Sequence, residues 1–215
     1  MLAKYQHRIY KYKNQLFVMI LNQHLAEFIG AFIGDGCLSE YPRKNRPSKE
    51  RVISFTGSWK NDSQYYKEII NPIITNNFEK GGRIYHRKDD NTIRYTISDS
   101  KIILFLLEHG FKFGPKSKTV IIPERILYEE KLSLACVRGI FNTDGCIYSR
   151  YSKKYKNHNK PYLDYRVIQF KLNSEKLLYQ IKEILYNLEI KTNKIIKDKN
   201  SFVLRITSQK DVNKF

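Results

Sequence analysis

Cysteine is scarce in this chain. Cys37, Cys136 and Cys146 are odd in number and form no CxxC pair, so neither a disulfide framework nor a thiolate zinc site is expected. Cys37 and Cys146 stand at equivalent places after Asp-Gly and read as small buried hydrophobes in a reducing compartment. Long apolar runs are missing too. The longest, about residues 16–33, is broken by Asn22, Gln23, His24 and Glu27 and is too polar to cross a bilayer. The opening MLAKYQHRIYKYKNQ lacks the apolar core and cleavage site of a secretory signal. The expectation is an intracellular protein, in a prokaryotic cytoplasm or an organelle, that is not secreted. A membrane partner would need a basic helix with a clean apolar face, and none is legible. The five histidines share no spacing, so they read as solvated or core residues. Acidic residues are also in short supply: 21 Asp+Glu stand against 39 Lys+Arg, for a net charge of +18. Such a basic surplus points to nucleic acid.

A repeat organises the chain. Leu25 to Cys37 reads LAEFIGAFIGDGC, and Leu134 to Cys146 reads LACVRGIFNTDGC; seven of the thirteen positions are identical. Asp35 and Asp144 are 109 positions apart, and the same offset relates Lys101 to Lys210 and YTISDSK to LRITSQK. In the middle, Lys67-Glu68-Ile69 faces Lys182-Glu183-Ile184 at an offset of 115, which implies a longer first hairpin in the second half. Self-similarity at this period is duplication of a domain, not a solenoid. The expected boundaries are residues 1–110, a linker over 111–130, and residues 131–215.

Each half reads alike. Motif helices are expected over about residues 16–33 and 131–142, both ending at a glycine-containing stop. Two strands follow, about 37–41 with 51–56 and 146–151 with 162–172. A helix comes next, about 62–70 and 174–188, the second capped near Asn173-Ser174. A second hairpin is expected near 82–97 and 194–206. A closing helix over 100–109 has a short or absent counterpart at the chain's end. The fold class is therefore α+β, with two pseudosymmetric αββαββα-type halves whose antiparallel sheets pack across paired motif helices.

The motif helices carry the chemistry. Gly30 and Gly34 lie on one helix face, as do Gly139 and Thr143. A glycine inside a helix costs about 1 kcal/mol against alanine, and close approach of two backbones would offset that. One Gly-rich helix ending in Asp-Gly is ordinarily core followed by a plain turn. Two matched copies, each leading into a basic strand, suggest that Asp35 and Asp144 meet. Two carboxylates aimed at one point repel unless a cation joins them. With the backbone carbonyls of Gly34 and Thr143 they form a hard-oxygen set suited to Mg²⁺, with Mn²⁺ as a substitute. Two-metal phosphodiester cleavage sets its ions about 3.5–4 Å apart, so two or more ions are expected.

FIGAFIGDG (Phe28 to Gly36) and VRGIFNTDG (Val137 to Gly145) resemble the motifs of LAGLIDADG homing endonucleases in their single-chain, two-motif form. The resemblance implies that Asp35 and Asp144 bind the catalytic metals. It also implies that Lys101 and Lys210, after the fourth strand of each half, act on the water network or the scissile phosphate. The chain departs from the family pattern at the earlier acid, where Ile33 and Asn142 stand. The polar residue the family often carries before its second helix has only Trp59-Lys60 and Ser174-Glu175 as counterparts. The implied activity is site-specific cleavage of both strands of a long DNA duplex by a monomer, in support of intron mobility. The alternative is an intron-RNA maturase, with the protein's own intron RNA as partner, or an inactive nucleic-acid-binding protein of the same fold.

The expected DNA-reading residues lie on the strands and hairpins. In the first half they are Tyr41, Arg43, Lys44, Arg46, Arg51, Arg83, Tyr85, Arg87 and Arg94. In the second they are Tyr148, Arg150, Lys153, Lys154, Arg166, Lys171, Lys194, Lys197 and Arg205. Lys and Arg supply phosphate affinity, and Arg on a strand can also read base edges.

Overall fold

A computed structural model describes residues 8–12, 15–44, 47–149 and 165–215. Two compact units arise, residues 1–116 with 122–143, and residues 117–121 with 144–215. Among the described residues, no helix is long and apolar enough to cross a membrane.

The first unit opens with a hairpin the sequence reading missed. Strand β1 (Arg8–Tyr12) pairs antiparallel with β2 (Gln15–Met19). The first motif helix therefore starts later than expected. Helix α1 spans Gln23–Gly34, because the Asn22 side chain accepts from Leu25 N–H and fixes the N-terminus there. The β-rich sequence before Asn22 joins the hairpin instead of extending the helix. The helix end also differs from expectation. Asp35 closes α1 in a right-handed conformation, and Gly36 begins the next strand beneath Phe32, where a Cβ would collide with the ring.

Strands β3 (Gly36–Pro42) and β4 (Lys49–Ser58) form the first sheet with β5 (Arg83–Arg87) and β6 (Thr92–Ile97), in the order β3-β4-β6-β5. The helix expected over 62–70 is longer and has a defect in it. Helix α2 (Trp59–Tyr65) passes into a wide π turn (Tyr66–Ile70) and then into α3 (Asn71–Phe78). Pro72 gives the reason. It has no N–H for an i→i−4 bond and its ring crowds the preceding turn, so one extra residue is taken up before it and the helix survives. Helix α4 (Ser100–Glu108) follows, capped by Asp99, which accepts from the N–H groups of Lys101 and Ile102. The expected linker contains a short helix, α5 (Glu124–Leu127), before the second motif helix, α6 (Glu130–Asp144).

The core of this unit is aromatic. Phe28 and Phe32 of α1 meet Phe55 of β4, which also contacts Tyr66 and Tyr95; all five are buried. Burial pushes the Tyr95 phenol up to about 12.

The second unit repeats the sheet. Strands β7 (Gly145–Ser149), β8 (Arg166–Leu172), β9 (Ile196–Asp198) and β10 (Ser201–Ile206) run in the order β7-β8-β10-β9. Helix α7 (Glu175–Asn187), capped by Ser174 as anticipated, buries Leu177, Leu178, Ile181, Ile184 and Leu185. Helix α8 (Gln209–Lys214) is the expected short counterpart of α4. The longer hairpin expected between β7 and β8 falls on residues 150–164, outside the described residues. The cysteines reverse one expectation: Cys37 and Cys146 are exposed, and Cys136 of α6 is the buried one. The first residue after Asp-Gly enters the polar face of a sheet, which is why both thiols reach solvent.

Candidate metal centre and nucleic-acid interface

Helices α1 and α6 touch backbone to backbone within the first unit. A Cβ on Gly30 would overlap the carbonyl oxygen of Cys136, and one on Gly139 would overlap that of Glu27. The contact is reciprocal: Gly30 and Gly139 are 109 positions apart, as are Glu27 and Cys136, the offset that also separates Asp35 from Asp144. Each aspartate comes five residues after its crossing glycine, a rise of about 7.5 Å along the helix. Asp144 is the last residue of α6 and is exposed. Thr143 turns its hydroxyl back to donate to the carbonyls of Gly139 and Ile140.

Around α1 lies a polar cluster that the sequence did not announce. Glu27 is buried and accepts from Arg138 Nη2 of α6 at 2.6 Å and from the Tyr65 hydroxyl at 3.4 Å. Asn142, at the place of the family's earlier acid, donates to the Tyr65 oxygen. Burial first, and then the Glu27 charge, holds the Tyr65 phenol far above its ordinary range. Arg138→Met should therefore strand a buried carboxylate. The expected cost is about 2 kcal/mol, less than the roughly 3–5 of a fully buried pair, because the Arg138 side chain is 54 % exposed. Thermal unfolding measures it, and the double variant Glu27→Leu/Arg138→Met should recover most of the loss. A double variant no more stable than Arg138→Met would refute the stranded-charge account.

Asp35 itself is hydrogen-bonded. The hydroxyl of buried Tyr66, first residue of the π turn, donates to Asp35 Oδ2 at 2.6 Å. Burial and the Asp35 charge keep that phenol protonated well beyond the usual range. Neither expected polar counterpart fills this role. Trp59 stacks on His86 with ring centres 4.0 Å apart and lies under Lys67 Nζ at 4.4 Å, while Ser174 is spent capping α7.

The implied divalent metal can be tested against these donors. Among the described residues, no group of three or more His, Cys, Asp or Glu gathers to hold a metal. The donors at hand are hard oxygens, the kind that Mg²⁺ takes when it is held by one or two carboxylates plus substrate phosphate and water. The carbonyl end of α1 already attracts a cation: Lys116 Nζ lies 2.6 Å from the Ile33 oxygen and 3.0 Å from the Gly34 oxygen. Gly34, expected to lend its carbonyl to a metal, lends it here to an ammonium. The carboxylate of Asp35 has the hard-oxygen chemistry a divalent cation takes, and the Gly34 carbonyl would reach one only if Lys116 yields. Lys101 and Lys210 hold equivalent places, each the second residue of its helix and four residues past the end of β6 and β10 respectively.

Strand register sorts the expected DNA-reading residues. Tyr41, Arg83, Tyr85, Arg87 and Arg94 share one face of the first sheet with Cys37, Ser54 and Thr96. Arg43 and Lys44 are exposed beyond the end of β3. Arg51 is on the opposite face. It and Lys49 bind Glu40, whose carboxyl they hold below its usual range. In the second sheet, Tyr148, Lys171 and Arg205 share a face with Cys146 and Gln169. There Arg205 Nε donates to Gln169 Oε1 at 2.8 Å, and Lys171 pairs with Asp198 at 2.8 Å. Arg166 and Lys197 lie on the face of Phe170 and Leu172 instead, and Lys194 precedes β9. Arg46, Arg150, Lys153 and Lys154 lie outside the described residues.

Paired helices ending in aspartate, each leading into a four-stranded sheet of the same order, define the class: this is the LAGLIDADG fold. Residues 131–215 match the model of the LAGLIDADG-like domain, and the fold of the whole chain is similar to that of solved LAGLIDADG proteins. None of the curated proteins compared with the sequence matches it. Among solved structures, it is similar to a variant of the endonuclease I-DmoI in complex with its target DNA and manganese, at 20 % identity and TM-score 0.62, over 90 % of this chain and 91 % of that one. It is also similar to I-DmoI with DNA and calcium, at 17 % identity and TM-score 0.62, over 89 % and 86 %. The N-terminal LAGLIDADG domain of DUF199/WhiA is a further match, at 17 % identity and TM-score 0.54, over 89 % and 78 %.

Proposed function

We propose that this protein is a site-specific DNA endonuclease of the homing type. It binds a long duplex on the polar faces of its sheets and hydrolyses one phosphodiester in each strand. Asp35 and Asp144 are the residues that would hold the divalent metal, Mg²⁺ with Mn²⁺ as substitute. The observation that carries this reading is the reciprocal glycine crossing of two helices that each end in aspartate. Such a metal would activate a water and stabilise the leaving oxygen. The protein's own part is positional. The tyrosine-bound Asp35 is preset, Arg83, Arg87, Arg94 and Arg205 engage the duplex, and Lys101 and Lys210 offer positive charge toward the reacting phosphates. Similar folds bound to target DNA with manganese or calcium support the reading.

A second reading, a nucleic-acid-binding protein that does not cleave, draws on Lys116, whose ammonium already occupies carbonyls at the end of α1. A library of randomised duplexes separates the two. The endonuclease should enrich one cut sequence with Mg²⁺ and none with EDTA, whereas the binder should retain a sequence without cutting it. In the same assay, Lys101→Met and Lys210→Met should each slow single-turnover cleavage by about 10²-fold. Duplex affinity should change less than about threefold, because one of many cationic contacts is a small part of the total. A change confined to affinity would reassign both lysines to phosphate binding.

A further inference from the structure

We propose that Tyr66 is the positioning residue for Asp35: its phenol holds Oδ2 and fixes the carboxylate's rotamer, so that a divalent cation meets a preset ligand. This rests on the metal role proposed for Asp35. The bond is short, 2.6 Å, within the range of a hydroxyl donating to an ionised carboxylate. The ring that carries the hydroxyl cannot swing away. It lies nearly parallel to Tyr95, 14° between planes, and against Phe55 at 5.7 Å, and it is fully buried.

The backbone is built for this placement. Tyr66 opens the π turn, and such single-turn insertions recur at functional sites because they re-aim one side chain within a helix. Tyr65 and Tyr66, adjacent in sequence, thereby both reach α1: one bonds Glu27 and the other Asp35.

The bland account is that a buried tyrosine merely needs some acceptor. The repeat argues against it. At the register of Lys67 with Lys182, the counterpart of Tyr66 is Ile181, fully buried in α7 with no hydroxyl. The same place in the fold thus packs with an aliphatic side chain. Packing does not demand the phenol, and only the half containing Asp35 has one.

The test is a Mn²⁺ titration followed by electron paramagnetic resonance. It uses the full-length protein on duplex DNA, as parent, Y66F, D35N and D35N/Y66F. Thermal midpoints and metal-free duplex binding are recorded alongside. Outer partners of metal ligands typically contribute about 10–100-fold to affinity, so Y66F should weaken Mn²⁺ binding by about tenfold with duplex binding unchanged. It should have no further effect in the D35N background. Cleavage by Y66F should recover as Mg²⁺ is raised, because the loss lies in binding the ion. Y66F affinity within twofold of the parent, or higher, overturns the proposal, as does an equal loss in the D35N background. If D35N leaves Mn²⁺ binding unchanged, the metal reading of Asp35 falls, and Tyr66 with it. If D35N weakens it and Y66F does not, Tyr66 alone is dismissed. Should Y66F fail to unfold cooperatively, Y66M, another apolar replacement, is put through the same comparison.

Discussion

Asp35→Asn should lower double-strand cleavage by about 10³-fold or more with the fold retained. Removing one hydrogen-bond donor from a developing charge costs about 10²–10³ in rate, and loss of a metal-binding carboxylate should exceed that. The Asn oxygen can still accept from Tyr66, so the local packing survives. Asp144→Asn, at the end of α6, should show the same loss of cleavage. Duplex binding in EDTA should be at least as tight in both, because each substitution removes a negative charge from a DNA-binding protein. Cleavage within tenfold of the parent in either variant would exclude a site that needs both acids.

What the sequence disclosed, and what it did not, follows from the range of the interactions. The second motif helix, the cap at Ser174 and the second hairpin of each half are set by local signals, and they appear close to where expected. The α1 start was misplaced because an apolar run does not reveal that Asn22 will cap the helix. The π turn arises from Pro72, which reads locally as a helix stop. The Asp35–Tyr66 bond joins residues 31 apart, and the Lys116 contacts span 82 and 83 positions, distances no motif spacing reports. Arg51 shows a different limit. Strand side chains alternate, so a register known only to within one residue leaves the face of every side chain undecided. Composition marked Arg51 as basic, but register put it beside Glu40.

Gly30→Ala tests whether the helix crossing holds the first unit together, and its expected effect is a loss of about 3 kcal/mol. Two opposing contributions set that figure. Alanine in place of a mid-helix glycine stabilises by about 1 kcal/mol. Against this, the new methyl would overlap the Cys136 carbonyl oxygen, a backbone atom that cannot rotate aside. Overpacking ordinarily costs about 1–3 kcal/mol where side chains can adjust. Here α1 and α6 must separate as rigid rods and give up buried contacts along the crossing, so the cost should exceed that range and outweigh the propensity gain. At about 2–4 °C per kcal/mol for a chain of this size, the midpoint should fall by roughly 6–12 °C. Gly139→Ala should behave alike, because its methyl would overlap the Glu27 carbonyl in the reciprocal contact. The double variant should lose less than the sum, since helices already parted by one methyl make room for the second. Calorimetric unfolding of the three variants decides the matter. Additive losses would mean that the two glycines act independently, and a rise in midpoint for either single variant would mean that the helices do not cross as closely as described.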